Sequence, residues 1–340
     1  MKIQLVTIGS LLIVAGSFAE TSKLLTQFVS AQQSAEEPVC AAGFSPDKIE
    51  CLPVCGNGEL NKTRVGTEYR LYRDLSYSGS ENEQKLDLYL PTGTQFGLRP
   101  AVLIIHGGGW AKGDKAAARE REFATFMVDE GYVAVSINYT LTAYEGEVWK
   151  SKRLKGAWPQ NIHDCKSALR WMKKNADAIG IDPERIAVMG GSAGGHLALL
   201  TGLSARSEEL NRSGGYLEQN NAVRCIIDFY GIPDIRRWGG GAFIDESQQD
   251  HPEVWALASP VEHLSKESPP ILIVHGTADP TVNIKLSDEF AGILKDKGIS
   301  HRYVVVENAV HTFGLNPSQM DLRPAVRQFL RENLNCAVSK

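Results

Sequence analysis

The chain has 340 residues, of which 43% are hydrophobic, and it carries a formal net charge of -4 with a sequence pI of about 6.1. This length can bury one large core and leave room for a small appendage. The weakly acidic balance argues against a nucleic-acid-binding protein, which usually presents a basic surface.

The first residues have the pattern of a secretory signal peptide. Residues 1–2 supply a positive start, residues 3–18 are apolar, and small residues lead up to Ala19. A membrane anchor is the alternative, but the apolar run is short and is interrupted by polar residues and glycine. We therefore predict that residues 1–19 are a signal peptide and that the mature protein is secreted or periplasmic, with no membrane attachment after cleavage.

Residues 20–68 are polar and are predicted to form a linker and a cysteine-stapled flap. Exported proteins can hold disulfides, and four cysteines are candidates: Cys40, Cys51, Cys55 and Cys336. We expect one bridge inside the N-terminal cluster and one to the C-terminal cysteine, but spacing leaves the connectivity open. A zinc site is the alternative, although a second ligand pair is missing. Cys165 and Cys225 are expected to be buried thiols.

Hydrophobic patterning predicts an α/β fold from residue 69 onward. Residues 69–77 and 85–90 alternate with period two and predict an antiparallel hairpin. Six further strands are predicted at 101–105, 132–137, 185–189, 223–229, 271–275 and 303–306, with helices that include 116–130, 161–178, 284–297 and 324–334. This alternation predicts an eight-stranded, mostly parallel sheet flanked by helices, with the hairpin at one edge, for a domain at 69–336.

The segment GGSAGGH at residues 190–196 lies between a strand-like run and a helix-forming run. In this context a Gly-x-Ser-x-Gly turn presents the serine hydroxyl at the end of the strand. Gly190 and Gly194 stand where a Cβ would collide with the neighbouring strand or helix. The alternative is a glycine-rich turn with an unused serine. We predict that Ser192 is a catalytic nucleophile.

Three consecutive glycines at 107–109 follow a buried strand. Acyl transfer builds negative charge on an oxygen, which unobstructed backbone N–H groups can stabilise. We assign this oxyanion hole to Gly108, Gly109 and Ala193. A phosphate-binding loop is the alternative, but the residues that it needs do not follow. His106 is expected to brace the loop by hydrogen bonds.

Asp279 follows strand 271–275, and His311 follows the last strand, so both are expected at the same sheet edge as Ser192. The chain order Ser, Asp, His is that of the α/β-hydrolase layout. His311 would take and return the serine proton, and Asp279 would orient the imidazole. A turn or helix cap is the alternative role for the aspartate, and a surface position is the alternative for the histidine.

Other polar residues fit the chemistry less well. His196 follows the elbow on the helix and is expected to be structural, and Asp234 is the alternative acid, although it also suits a helix cap. Five histidines have no matching acid: His163, His251, His263, His275 and His301. Because no metal-ligand cluster is visible, we predict no metal and no cofactor.

Connections 141–159 and 232–260 are longer than crossovers need and carry aromatic residues. Ligands of such sheets bind at the carboxyl ends of the strands, where long loops can form the walls of a site. Three tryptophans are therefore candidate substrate contacts: Trp110, Trp158 and Trp238. The alternative is that they only pack the loops.

Several motifs together resemble a known group. They are HGGGW at 106–110 with GDK at 113–115, IHDCK at 162–166, IDPERI at 181–186, the Ser192 heptapeptide, and HGTADP at 275–280. Over about residues 69–334 the chain resembles the bifunctional feruloyl and acetyl xylan esterase-like branch of the hormone-sensitive-lipase-related α/β hydrolases. The resemblance implies an α/β-hydrolase fold and a serine carboxylesterase that acts on ester groups of plant or algal polysaccharides.

The predicted function is thus a secreted serine esterase that hydrolyses small acyl or feruloyl esters on polysaccharides through an acyl-enzyme at Ser192. An amidase, formamidase or peptidase could use the same triad. A catalytically silent binding module is the alternative of another class, but such modules usually lose a triad or oxyanion residue, and none is missing. The expected partner is an ester substrate, with no nucleic acid and no membrane.

Overall fold

The computed structural model describes residues 58–78, 84–93, 97–239 and 243–334. The predicted signal peptide and the four disulfide candidates (Cys40, Cys51, Cys55 and Cys336) lie outside these segments. Within them, Cys165 and Cys225 are free and buried, which confirms that prediction. None of the helices in these segments is long and apolar enough to cross a lipid bilayer.

Strands occupy most of the positions where the sequence predicts them. The strands of the described segments are β1 (Glu59–Lys62), β2 (Glu68–Ser76), β3 (Lys85–Pro91), β4 (Arg99–Ile105), β5 (Val133–Ile137), β6 (Ala143–Tyr144), β7 (Arg153–Lys155), β8 (Ile181–Gly191), β9 (Cys225–Phe229), β10 (Ile271–Gly276) and β11 (His301–Val306). Nine of them form one sheet in the order β1-β2-β3-β5-β4-β8-β9-β10-β11. From β5 to β11 neighbouring strands run parallel, and β1, β2 and β3 pair antiparallel at one edge.

Two details differ from the sequence-based expectation. The sheet has nine strands instead of eight, because β1 pairs with β2 from within the segment predicted to be linker and flap. The long connection 141–159 also contains a small antiparallel hairpin formed by β6 and β7. Its strands have two and three residues, which is too short for a periodic signal.

Helices cover both faces of the sheet. They are α1 (Ala118–Asp129), α2 (Gln160–Lys174), α3 (Ala176–Ile179), α4 (Ala193–Leu203), α5 (Glu208–Asn211), α6 (Ile235–Trp238), α7 (Pro252–Leu257), α8 (Lys285–Asp296) and α9 (Arg323–Leu334), with a short 3-10 helix at Pro260–His263. The predicted helix 161–178 is divided into α2 and α3 by Asn175, which caps the first.

Strand β4 shows why the apolar runs lie in the middle of the molecule. Successive residues of a strand point to opposite faces. Leu103 and Ile105 belong to the core cluster that contains α2 and α4 residues, whereas Val102 and Ile104 belong to the cluster that contains α1 and α9 residues. All four are fully buried. Each contributes about 1.5–3 kcal/mol by burial, which fixes the strand between two helical layers.

This arrangement brings the carboxyl ends of β4, β8, β10 and β11 to one edge of the sheet. The loops that follow these four strands carry the glycine segment, Ser192, Asp279 and His311. The fold thus places the predicted catalytic residues at one common edge.

Candidate active site

Ser192 stands in a strained turn between β8 and α4. Its backbone has φ 60° and ψ -124°, a conformation that costs a non-glycine residue of order 1–3 kcal/mol. The turn also needs close backbone approach on both sides. A Cβ at Gly190 would lie 2.3 Å from the Gly194 carbonyl oxygen, and a Cβ at Gly194 would lie 2.1 Å from that of Ile105. The two flanking glycines are therefore required sterically.

Ser192, His311 and Asp279 form one continuous hydrogen-bonded chain. Ser192 Oγ and His311 Nε2 are 2.9 Å apart, and His311 Nδ1 and Asp279 Oδ2 are 2.6 Å apart. Because the carboxylate accepts from Nδ1–H, Nε2 carries the lone pair that faces the serine hydroxyl. Asp279 has a fully buried side chain, and His311 is 11% exposed. This geometry lets the imidazole take a proton from the serine.

Asp279 is held by four donors. The backbone N–H groups of Thr281 and Val282 donate to Oδ1 at 2.8 and 2.9 Å. Burial alone raises the pKa of Asp279, but hydrogen bonds from His275, His311 and these two N–H groups outweigh it, so the pKa lies well below its usual value. The acid is thus ionised throughout the neutral range, as its orienting role requires.

His275 corrects one sequence-based interpretation. The sequence analysis expects no matching acid for it, yet its Nε2 lies 3.3 Å from Asp279 Oδ2 and 2.9 Å from the Val282 carbonyl oxygen. Its Nδ1 is 2.7 Å from Ser287 Oγ, so the serine hydroxyl can donate to it while Nε2–H faces the carboxylate. The signal was present in the sequence, because His275 precedes the acid by four residues at the end of the same strand.

Tyr230 packs against the candidate base. Its ring centroid is 4.9 Å from that of His311, and its hydroxyl donates to the Phe313 carbonyl oxygen in the same loop. The hydroxyl accepts a hydrogen bond from Arg119 Nη1 at 3.1 Å. Burial raises the pKa of Tyr230 to about 12, although the Arg119 guanidinium opposes this. Sequence analysis missed both residues, because their approach depends on the fold.

The glycine loop runs beside the serine. A Cβ at Gly107 would lie 3.4 Å from Ser192 Cβ. Gly108 and Gly109 have φ 116° and 60°, and in the described segments neither N–H takes part in a backbone hydrogen bond. Ala193 begins α4 immediately after the serine. The assignment of Gly108, Gly109 and Ala193 to an oxyanion hole remains a prediction that this placement supports.

Two histidines next to the motifs are structural. His106 Nδ1 lies 2.7 Å from the Gly107 carbonyl oxygen, and its ring stacks on Tyr139 at 4.3 Å, so it braces the loop as predicted. His196 is fully buried, with Nε2 donating to the Ala258 carbonyl oxygen at 2.8 Å and Nδ1 accepting from Trp110 Nε1 at 3.1 Å. Burial lowers its pKa to about 4.

Asp234, the alternative acid, makes its hydrogen bonds and its ion pair with residues other than His311. Its carboxylate pairs with Arg236 at 2.8 Å, accepts the Arg236 N–H at the start of α6, and accepts from the Ser259 hydroxyl. It therefore serves as the helix cap that the sequence also suggested. In the described segments, no three His, Cys, Asp or Glu side chains are grouped to hold a metal ion.

The predicted tryptophan contacts divide into two kinds. Trp110 is only 1% exposed and stacks on Phe243 at 4.2 Å, so its prediction as a substrate contact is wrong. Trp158 and Trp238 are half-buried at the edge of this aromatic cluster, and a substrate role for them remains a prediction. Trp149, an aromatic residue of the long connection 141–159, is 52% exposed and lies against Gly109.

Comparison with known proteins agrees with this geometry. The model of the BD-FAE family matches residues 86–294, more than half of the chain. The chain belongs to the BD-FAE family. This match confirms the resemblance based on the motifs. It includes Ser192 and Asp279, and His311 lies beyond it in the loop that the structure brings back to them.

Individual esterases and solved structures are also similar to this chain. The esterase LipQ of Mycobacterium tuberculosis is 31% identical over 76% of this chain. The matched part covers 62% of the length of LipQ. A truncated carbohydrate esterase from gut microbiota has the same fold, with a TM-score of 0.68 and 24% identity over 78% of this chain and 96% of that one. The esterase Est2 of Thermogutta terrifontis, solved with propionate, is 26% identical with a TM-score of 0.60, over 82% of this chain and 94% of Est2.

Proposed function

We propose that this BD-FAE family member is a secreted serine esterase that hydrolyses small acyl or feruloyl esters on polysaccharides. The observation that carries the proposal is the hydrogen-bonded chain from Ser192 through His311 to Asp279. It lies next to a glycine loop in which the N–H groups of Gly108 and Gly109 make no backbone hydrogen bond within the described segments. These are the parts that acyl transfer to a serine needs, and they occur in one place.

In the first half of the proposed reaction, Ser192 Oγ attacks the ester carbonyl carbon while His311 Nε2 takes the hydroxyl proton. The carbonyl electron pair moves onto oxygen, where the N–H groups of Gly108, Gly109 and Ala193 stabilise the negative charge. Collapse of this intermediate breaks the bond to the alcohol. The leaving oxygen takes the proton from His311, and the acyl group stays on Ser192.

In the second half, water replaces the alcohol. His311 removes a proton from water, which attacks the acyl carbon. The new tetrahedral intermediate expels Ser192 Oγ, which recovers the proton from His311. The low pKa of Asp279 keeps a negative charge beside the imidazolium in both halves, which lowers the energy of each charged state.

The proposed substrate class rests on two kinds of support. The chain belongs to the BD-FAE family, and a structural neighbour is described as a carbohydrate esterase. LipQ and Est2 are described as esterases. Secretion rests on the signal-like pattern of the first residues.

The test compares Ser192→Ala with the wild-type protein and with a control variant, Ser318→Ala, which replaces an exposed serine whose hydroxyl donates to Gln319 Oε1. Substrates are p-nitrophenyl acetate, acetylated xylan, methyl ferulate and an acyl p-nitroanilide. We expect wild type and the control to release acetate or ferulate, and Ser192→Ala to lose at least about 10³-fold in rate. Release that survives in Ser192→Ala, or hydrolysis of the anilide alone, would overturn the proposal.

A further inference from the structure

Trp149 combines two features that are unfavourable for folding. The residue is 52% exposed, although burying an aromatic ring is among the larger stabilising contributions available to a protein. Its backbone also has φ 65°, which is rare for a bulky residue and costs of order 1–3 kcal/mol. Because neither feature favours folding, their presence at one residue points to a role in binding.

The ring of Trp149 lies directly beside the candidate oxyanion loop. A Cβ at Gly109 would stand 2.9 Å from Trp149 Cζ2, so the indole covers this glycine at contact distance. Any larger residue at 109 would displace the ring. In the described segments Trp149 Nε1 has no hydrogen-bond partner, so this donor is open to a ligand that reaches the loop.

Lys112 brings a positive charge to the same place. Its Nζ lies 4.5 Å from the centroid of the Trp149 ring. Its backbone belongs to the turn of the glycine loop, since its N–H donates to the Gly108 carbonyl oxygen at 3.1 Å. No carboxylate of the described segments forms an ion pair with Lys112. The ammonium group therefore lies over the Trp149 ring, beside the glycine loop, and has no carboxylate partner among the described residues.

The hairpin that carries Trp149 is also basic, in a chain whose net charge is -4. Its cations are Lys150, Lys152, Arg153 and Lys155, and its acids are Glu145 and Glu147. Lys150 pairs with Glu147 at 2.7 Å, and Arg153 lies 3.6 Å from Asp245. The hairpin and Lys112 thus carry an excess of positive charge, which attracts an anionic ligand.

We propose that Trp149 and Lys112 form a subsite for a uronic acid residue, a sugar ring that bears a carboxylate, next to the ester that is cleaved. The exposed part of the indole packs against the sugar ring, and Nε1–H donates to a sugar oxygen. The carboxylate pairs with the Lys112 ammonium. This inference rests on the proposed function and adds the substrate class to it: acylated acidic polysaccharides are preferred over neutral ones.

The experiment measures kcat/KM on acetylated xylo-oligosaccharides of equal length, with and without a glucuronic acid side group. We expect the wild type to prefer the acidic substrate about fivefold, mainly through KM, and the preference to vanish in Lys112→Met and at about 0.5 M NaCl. Trp149→Leu should lower kcat/KM on both oligosaccharides by about tenfold relative to p-nitrophenyl acetate. Lys297→Met, at the far end of α8, is the matched control and should keep the preference.

Two outcomes separate the subsite from the proposed function. If the wild type hydrolyses p-nitrophenyl acetate and the neutral oligosaccharide but shows no preference for the acidic one, the subsite is refuted and the esterase stands. If it hydrolyses none of the three esters, the esterase proposal fails. A preference that persists in Lys112→Met also refutes the subsite.

Discussion

Replacement of Asp279 by Asn tests how the hydrogen-bond pattern of the acid controls the base. Asn has one oxygen and one NH₂ group. Its oxygen belongs at the Oδ1 position, because it there accepts the Thr281 and Val282 N–H groups at 2.8 and 2.9 Å. The NH₂ group then faces His311 Nδ1, which must become an acceptor. The imidazole proton moves to Nε2, where it points at Ser192 and blocks proton transfer.

The magnitude follows from the cost of the opposite orientation. Turning the amide would place NH₂ against two backbone N–H groups and lose two hydrogen bonds, each worth about 1 kcal/mol. A difference of about 2 kcal/mol leaves only a few per cent of molecules with the active tautomer. The rate must therefore fall at least about 30-fold, and we expect about 10³- to 10⁴-fold, because the charge that stabilises the imidazolium is also lost.

The assay is kcat/KM for p-nitrophenyl acetate between pH 6 and 9, together with the rate of Ser192 labelling by a fluorophosphonate. Asp296→Asn, at the exposed end of α8, is the control and should match wild type. Intact mass excludes deamidation of the new Asn, and thermal unfolding verifies the fold. A kcat/KM within tenfold of wild type in folded Asp279→Asn protein would refute the reasoning.

Two further predictions follow from buried groups near the site. Tyr230→Phe removes the hydroxyl that hydrogen-bonds Arg119 and the Phe313 carbonyl oxygen. We expect urea unfolding to show a free energy of unfolding lower by about 1–3 kcal/mol, and steady-state kinetics to show a kcat about tenfold lower with KM nearly constant. An unchanged kcat would contradict this prediction. Burial lowers the pKa of His196 to about 4 in the folded protein, from an ordinary value of 6.5. Between pH 6.5 and pH 4 the imidazole is therefore protonated in the unfolded chain but not in the folded protein, so the free energy of unfolding falls as the pH drops. Between pH 7 and pH 5 this lowers the free energy of unfolding by about 2 kcal/mol. Urea unfolding of His196→Asn should show a decrease over this pH range that is smaller than in wild type by that amount. An equal decrease in both proteins would refute the prediction.

The sheet and the three hydrogen-bonded residues could be predicted because each has a local signal. Buried parallel strands are apolar runs, and the residues that follow them meet at one edge. Strand β1 has no such signal, because its sequence ELNK is polar and its position depends on pairing with β2. Such pairing is a property of the folded sheet and is not encoded in the four residues themselves.

The errors at the site have a similar origin. The burial of Trp110 depends on Phe243, which is far away in the sequence and reaches it only after folding. The exposure of Trp149 depends on the β6–β7 hairpin, whose strands are too short to predict. The link from His275 to Asp279 is different, because the two residues are four apart and the interpretation overlooked a signal that was present.

Ser192 and His311 follow strands that differ in how well they are protected from local unfolding. Ser192 follows β8, which has a strand on either side, whereas His311 follows β11, which is an edge strand of the sheet in the described segments and whose residues are mostly half-exposed. Edge strands open by local fluctuations that leave the centre intact. Under mild heating or denaturant, catalysis should therefore vanish before the core melts, and amide hydrogen exchange should be faster in β11 than in β8. Comparable exchange in the two strands would contradict this. The nucleophile thus follows an interior strand and its base follows an edge strand, so loss of activity should report the opening of that edge before the core unfolds.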